Sequence, residues 1–161
     1  MAYGRHQSFY IKNNWINKGI KAIVNDSSVF DNVENYKNLG IGKNMFMALK
    51  YWLYALNIAN KDFTLTPFGK YLLKNDLSCN SNLSLNLLHY YLSLKEPVND
   101  SPISDTFFYV FNVYDYKSFS KEELLESLIN WDMSNNIRPT SDKTISRDID
   151  CLIQTYTKID K

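Results

Sequence analysis

The sequence predicts a mainly α-helical protein, with two helix-turn-helix-like units joined by an aromatic-rich helical segment. Three observations carry that prediction. Apolar residues recur at spacings of three and four through most of the chain. A glycine-bearing turn, Leu39-Gly40-Ile41-Gly42, precedes the clearest helix. A capping box at Ser120 and Glu123 fixes the start of another helix near the C-terminus. The expected boundaries are 1–76 for the first unit, 77–119 for the connector and 120–161 for the second unit.

Within the first unit, Trp15 to Val24 forms a short helix whose apolar face is Trp15, Ile16, Ile20, Ile23 and Val24. A polar stretch with Asp26, Ser27 and Ser28 turns the chain, and Asn32 to Asn38 forms a second short helix. After the glycine turn comes a long helix, Lys43 to Ile58. With Leu49 at the centre of its inner face, Met45, Phe46, Trp52, Leu53 and Leu56 fall within about 60° of it. Asn44, Met47, Tyr51 and Tyr54 lie opposite, and Lys43 and Lys50 flank them. Phe63-Thr64-Leu65 alternates like a strand, and Thr66-Pro67 opens a further helix with proline in its first turn. The order of helix, helix, glycine turn, long helix and hairpin fits a winged helix, whose third helix enters the major groove.

The outer face of that helix has two readings. Lysine can hold phosphate or guanine, asparagine pairs well with adenine, and tyrosine stacks or bonds to the backbone. Equally, Met47, Tyr51 and Tyr54 can form a packing seam under another part of the chain. Gly40-x-Gly42-Lys43 is not a phosphate loop: that motif needs glycine five residues before the Gly-Lys pair and Ser or Thr after it, and Lys37 and Asn44 stand there.

In the connector, Asn82 to Leu94 reads as an apolar helix and Lys95 to Ser104, with Pro97 and Pro102, as a loop. Asp105 to Tyr116 holds six aromatic residues, but residues 96 to 116 contain no Lys or Arg. A base-stacking platform interleaves cations with its rings, so these aromatics are expected to be core joining the two units. His6, His89, Cys79 and Cys151 lack the close spacing of a zinc site, and no metal or other cofactor is expected.

In the second unit, Leu124, Leu125, Leu128 and Trp131 share a face of a helix running to about Asn135, and Pro139 breaks the chain after it. Ser141 caps the next helix, Asp142 to about Thr157. Ile145, Ile149, Leu152, Ile153 and Tyr156 point inward. Lys143, Thr144, Arg147, Cys151, Gln154 and Lys158 point outward. Short polar and basic residues in the first turns suit a recognition helix, and the pattern from Ser141 to Leu152 resembles that of DeoR-type repressors. The rival reading is a solvated face. Asp142, Asp148 and Asp150 reduce the local charge, unless Asp148 holds Arg147 or a neighbouring backbone.

Bulk composition narrows the class. Hydrophobic residues are 45% and charged residues 22%, as in an ordinary globular chain. Nineteen Asn and twelve Tyr fit an AT-rich gene better than a prion-like segment, because the Asn are scattered among periodic apolar positions. No apolar run approaches the roughly 20 residues of a membrane span, and no signal-peptide pattern opens the chain. Two distant cysteines fit reduced thiols and a cytoplasmic location. Net charge is +1, but residues 1–75 carry +6 (ten basic, four acidic) and residues 76–161 carry −5 (eight basic, thirteen acidic). That asymmetry points weakly to an anionic partner for the first half.

Several phrases stand out together: His6-Gln7-Ser8-Phe9 with Trp15 and Lys18-Gly19, then Leu39-Gly40-x-Gly42-Lys43-Asn44-Met45 with Trp52. Leu65-Thr66-Pro67-x-Gly69, Leu88-His89, Phe111-Asn112, and Arg147-Asp148-x-Asp150 with Thr155-Tyr156 complete the set. Taken together they resemble a bacterial family, domain of unknown function 4007. Members are often encoded beside sulfur-transfer genes of DNA phosphorothioate modification systems, so the resemblance implies a DNA-directed accessory or regulatory role. It supplies no catalytic residues. Members also tend to continue past the Arg-Asp-x-Asp helix, so a second unit shortened at Lys161, without its wing, is expected.

The expected function is therefore binding of double-stranded DNA, with Lys43, Asn44, Met47, Lys50, Tyr51, Lys143, Thr144 and Arg147 as contacts. Lys12, Lys18 and Lys21 would add phosphate contacts. The alternative is a protein-interaction adaptor in a DNA-modification or defence complex, with Tyr51 and Tyr54 in the partner interface. No catalytic constellation converges in the sequence, so an enzyme is not expected.

Overall fold

In a computed structural model of the chain, residues 3–94, 105–135, 137 and 139–158 are described. The loop expected over residues 95–104 lies outside them. The order is α1 (Asn13–Asn25), a 3₁₀ helix (Val33–Lys37), α2 (Lys43–Ala55), α3 (Pro67–Asn75), α4 (Asn82–Ser93), α5 (Asp105–Asn112), α6 (Lys121–Ser134) and α7 (Asp142–Thr157). The fold is mainly α, as the periodicity predicts.

The helix starts are chemical, and most were legible. Asn32, Thr66, Ser81, Ser120 and Ser141 each accept a backbone N–H of the following turn through their side chains. Each such cap is worth about 1 kcal/mol. The box at Ser120 is complete: its hydroxyl accepts from Glu123 N, and the Glu123 carboxylate accepts from Ser120 N at 2.7 Å.

The expected strand at Phe63-Thr64-Leu65 does not form, and among the described residues the hairpin reduces to a single antiparallel bridge, Ala59 with Leu65. Leu56 caps α2 and Thr66 caps α3, so the connection has little length to pair. It turns at Asn60–Phe63 and closes with Asn60 N on Thr64 O (2.8 Å) and Thr66 N on Ile58 O (3.1 Å). Helix α2 also stops three residues before Ile58.

The main core gathers Ile16 and Ile20 of α1, Phe46, Leu49, Trp52 and Leu53 of α2, Leu72 of α3 and Leu88 and Leu92 of α4. Gly19 lets α1 approach α2 closely, because a Cβ there would stand 2.6 Å from a Leu53 methyl. Two expected inward residues differ: Val24 is 55% exposed at the end of α1, and Met45 is half-buried. A smaller core holds Tyr109, Leu124, Leu128, Ile145 and Ile149. Helices α6 and α7 pack together around it.

Helix α5 joins the two cores, but the aromatic segment is core only in part: Tyr116, expected to be buried, lies beyond the helix and is 76% exposed. Phe107 meets Trp52 edge-on at 5.9 Å in the larger core, while Tyr109 meets Trp131 at 5.2 Å in the smaller. Helix α7 also reaches both, through Cys151 and Leu152 on one side and Ile145 and Ile149 on the other. Cys151, expected outward, is therefore buried, and Tyr156, expected inward, is 45% exposed. Its hydroxyl lies 2.8 Å from His89 Nδ1.

Candidate nucleic-acid interface

The strap Tyr3–Phe9 binds the two halves together. Tyr3 donates its hydroxyl to the Asp132 carboxylate of α6, 2.9 Å from each oxygen. Gly4 donates its backbone N–H to Asp148 Oδ1 of α7 at 2.7 Å. Its φ of +75° is a glycine conformation, and a Cβ there would press on the Thr144 methyl at 3.3 Å. Gln7 and Ser8 follow with φ of 50° and 64°, so the strap turns sharply at residues that favour neither value.

His6 is the pivot of this strap. It is fully buried, stacked on Trp52 at 5.8 Å with an interplanar angle of 13°, and edge-on to Tyr51 at 6.2 Å. Nδ1 accepts the Ser8 N–H at 3.1 Å, which puts the ring proton on Nε2, facing Asp148 Oδ1 at 2.9 Å. That approach falls outside hydrogen-bonding geometry, so the contact is a through-space attraction. Trp52 completes the clasp by donating its indole N–H to Phe9 O at 2.9 Å.

Buried carboxylates surround the strap. Asp105 is 1% exposed, its Oδ1 makes no hydrogen bond among the described residues, and burial pushes its pKa up to about 6. Burial also raises Asp132, against the lowering effect of the Tyr3 hydroxyl. The Tyr3 phenol is driven far above its ordinary range by burial and then by Asp132. Among the described residues no group of three or more His, Cys, Asp or Glu is arranged to hold a metal ion.

On α2, Lys43 and Asn44 are exposed at the first turn and Met47 is 39% exposed. Lys50 and Tyr51 differ from the expected open contacts. The Lys50 ammonium donates to Phe30 O at 2.7 Å and lies 5.0 Å from the Phe63 ring centre. Tyr51 is buried against His6 and Trp52, so it is largely the packing seam that was its rival reading. Beside them lies an open depression of about 420 Å³, lined by Met47, Lys50, Tyr51, Tyr54 and Phe63 together with Arg5, Gln7 and Lys61. Arg5 and Lys61 lie outside every helix, so helical periodicity had no means of finding them.

On α7, Lys143 and Arg147 are exposed and Thr144 is half-buried, its hydroxyl 2.9 Å from Ser141 Oγ. The acidic residues that weaken this face in the sequence are partly withdrawn. Asp148 is turned inside onto Gly4 and His6, and Asp150 is paired with Lys121 at 2.7 Å. Thr144 touches the strap at Gly4, and the next strap residues, Arg5 and Gln7, line the α2 depression. The two helix faces chosen from the sequence therefore meet across the strap. Of the added lysines, Lys18 donates to Leu39 O at 3.1 Å and Lys12 lies over the Tyr10 ring at 5.0 Å. Lys18 and Lys21 line a separate open groove of about 560 Å³.

The fold is similar to that of SspB. A magnesium-bound SspB crystal structure matches with a TM-score of 0.78 at 21% identity, covering 96% of this chain and 49% of that one. A second SspB crystal structure matches with a TM-score of 0.77 at 20% identity and the same coverage. This chain spans about half the length of those proteins. No curated protein matches it. Residues 3–161 match the family described as "Protein of unknown function (DUF4007)", the family that the Leu39–Met45 phrase resembles, and the chain belongs to that family.

Proposed function

We propose that this chain is a DNA-docking module, with the outer faces of α2 and α7 and the strap between them as its contact surface. The observation that carries the reading is the strap itself. Through Gly4 against Thr144, and Arg5 and Gln7 beside Met47, it joins two helix faces that the sequence nominated independently. Lys43, Asn44, Arg5 and Lys61 contribute contacts on one side, and Lys143, Thr144 and Arg147 on the other. Lys50 supports the surface from beneath. Asp148 is buried and Asp150, though 44% exposed, is paired with Lys121, which weakens the repulsion a polyanion would meet at α7, while Asp142 stays exposed.

The wider role is that of an accessory or regulatory protein of a DNA-modification system, a phosphorothioation system on the strength of where the family's genes lie. The likeness to SspB supports the fold on which this role rests. The role is one of binding, with no catalytic step and no cofactor assigned, in the cytoplasm where such a system works. A band-shift assay at low salt with the wild type and Arg147→Glu tests it. Binding by the wild type and at least tenfold weaker binding by the variant are expected; no shift with any duplex refutes the reading.

The adaptor reading needs a different surface from the one first expected, because Tyr51 is covered within the chain. The exposed Leu83, Leu85 and Tyr90 of α4 are the better place for a protein contact.

A further inference from the structure

We infer that the depression between the strap and α2 receives a single nucleobase swung out of a DNA duplex, an inference that rests on the DNA-docking reading. It is lined by Met47 and Tyr54, by the largely buried Tyr51 and Phe63, and by Gln7, Lys50 and the exposed cations Arg5 and Lys61, and among the described residues no carboxylate lines it. Apolar rings select a flat π-surface, and cations alone at the rim select an anion. A base with its flanking phosphates has both. The volume of about 420 Å³ falls within the roughly 300–1,000 Å³ range of small-molecule clefts.

The walls are also held in advance of any ligand. Phe63 packs on Phe30 at 4.9 Å and carries the Lys50 ammonium on its ring. Its φ of 57° is uncommon for an aromatic residue. The turn around it is locked by Thr64, whose N–H and hydroxyl both donate to Asp62 Oδ1 at 3.1 and 2.8 Å. Strained backbone of this kind persists where the surroundings over-determine it, and a preformed cleft is one use for it. A duplex is favoured over a free nucleotide because the wall is continuous with the strap, which leads directly to Thr144 at the start of α7.

Extruding a base costs least where it is mispaired. Fluorescence anisotropy should therefore compare three duplexes of one sequence: fully matched, carrying one central T·T mismatch, and carrying an abasic site in place of the mismatched base. The mismatched duplex is expected to bind about tenfold tighter than the matched one, and the abasic duplex to lose that gain. Met47→Trp, which fills the depression from an exposed position, and Tyr54→Ala, which removes a wall, should each bring the mismatch ratio close to one. Using two variants keeps the test decisive if either fails to fold. Equal affinity for matched and mismatched duplexes, or a mismatch preference unaffected by both variants, overturns the pocket and leaves the docking reading standing. Failure to bind any duplex overturns both.

Discussion

The imidazole of His6 and the carboxylate of Asp148 face each other at 2.9 Å, and neither side chain reaches solvent. One belongs to the strap at the start of the chain, the other to its last helix, so this contact and the neighbouring Gly4–Asp148 hydrogen bond close the fold end to end. His6→Ala takes away the ring N–H that faces the buried Asp148 carboxylate, and leaving a buried polar group uncompensated costs about 1–3 kcal/mol. His6→Ala also removes the ring stacked on Trp52. Urea unfolding should show a loss of that size for His6→Ala.

The Asp105 carboxyl gives stability a definite dependence on pH. Its pKa rises from 3.8 to about 6 on folding, so the folded chain holds the proton more tightly than the unfolded chain. The associated stability is full below about pH 4, is lost as pH rises through 6, and changes little above that. Asp132, also raised, acts in the same direction. Asp105→Asn should be more stable than the wild type at pH 7, by on the order of 1–3 kcal/mol, with the difference shrinking toward pH 4. Urea midpoints at pH 4, 5, 6 and 7 would check this.

Two lysines of α2 should behave in opposite ways. Lys50 is bonded to Phe30 O and packed on Phe63, so Lys50→Met should cost about 1–2 kcal/mol of stability. Lys43 is the first residue of α2, where a cation opposes the helix dipole. Lys43→Glu should hold or raise the melting temperature and still weaken DNA binding severalfold. Thermal melts run beside anisotropy titrations separate the two cases.

Lys143 and Arg147 are exposed in the first turns of α7, so their loss should leave the fold intact. Lys143→Ala and Arg147→Ala should each lower duplex affinity by about three- to tenfold, with melting temperatures close to wild type. The circular dichroism melt is the control, and anisotropy is the readout.

The helices were legible because their signals are local. Ser120 with Glu123, Ser141 and Thr66-Pro67 announce their own caps, and the aromatic density without cations marked α5 as core. The expected strand was not legible as a failure, since Phe63-Thr64-Leu65 alternates correctly and only the short span between the α2 and α3 caps denies it a partner. The site was half legible. Lys43, Asn44, Lys143 and Arg147 were found by helical phase and are exposed. Tyr51 and Lys50 occupy the same outer phase, yet His6 and Phe63, distant in sequence, cover them. Arg5 and Lys61 carry no periodic signal at all, and only folding brings them to the α2 face.

Docking on DNA is the central claim, and its salt dependence is the most direct test. If about three or four phosphates are neutralised across the strap, α2 and α7, a log–log plot of the association constant against salt should have a slope of roughly −3 to −4. Arg147→Ala should make that slope shallower by about one. Anisotropy titrations of a 20-base-pair duplex over a series of salt concentrations give both numbers. No binding at the lowest salt, or a slope near zero that Arg147→Ala leaves unchanged, would contradict the claim.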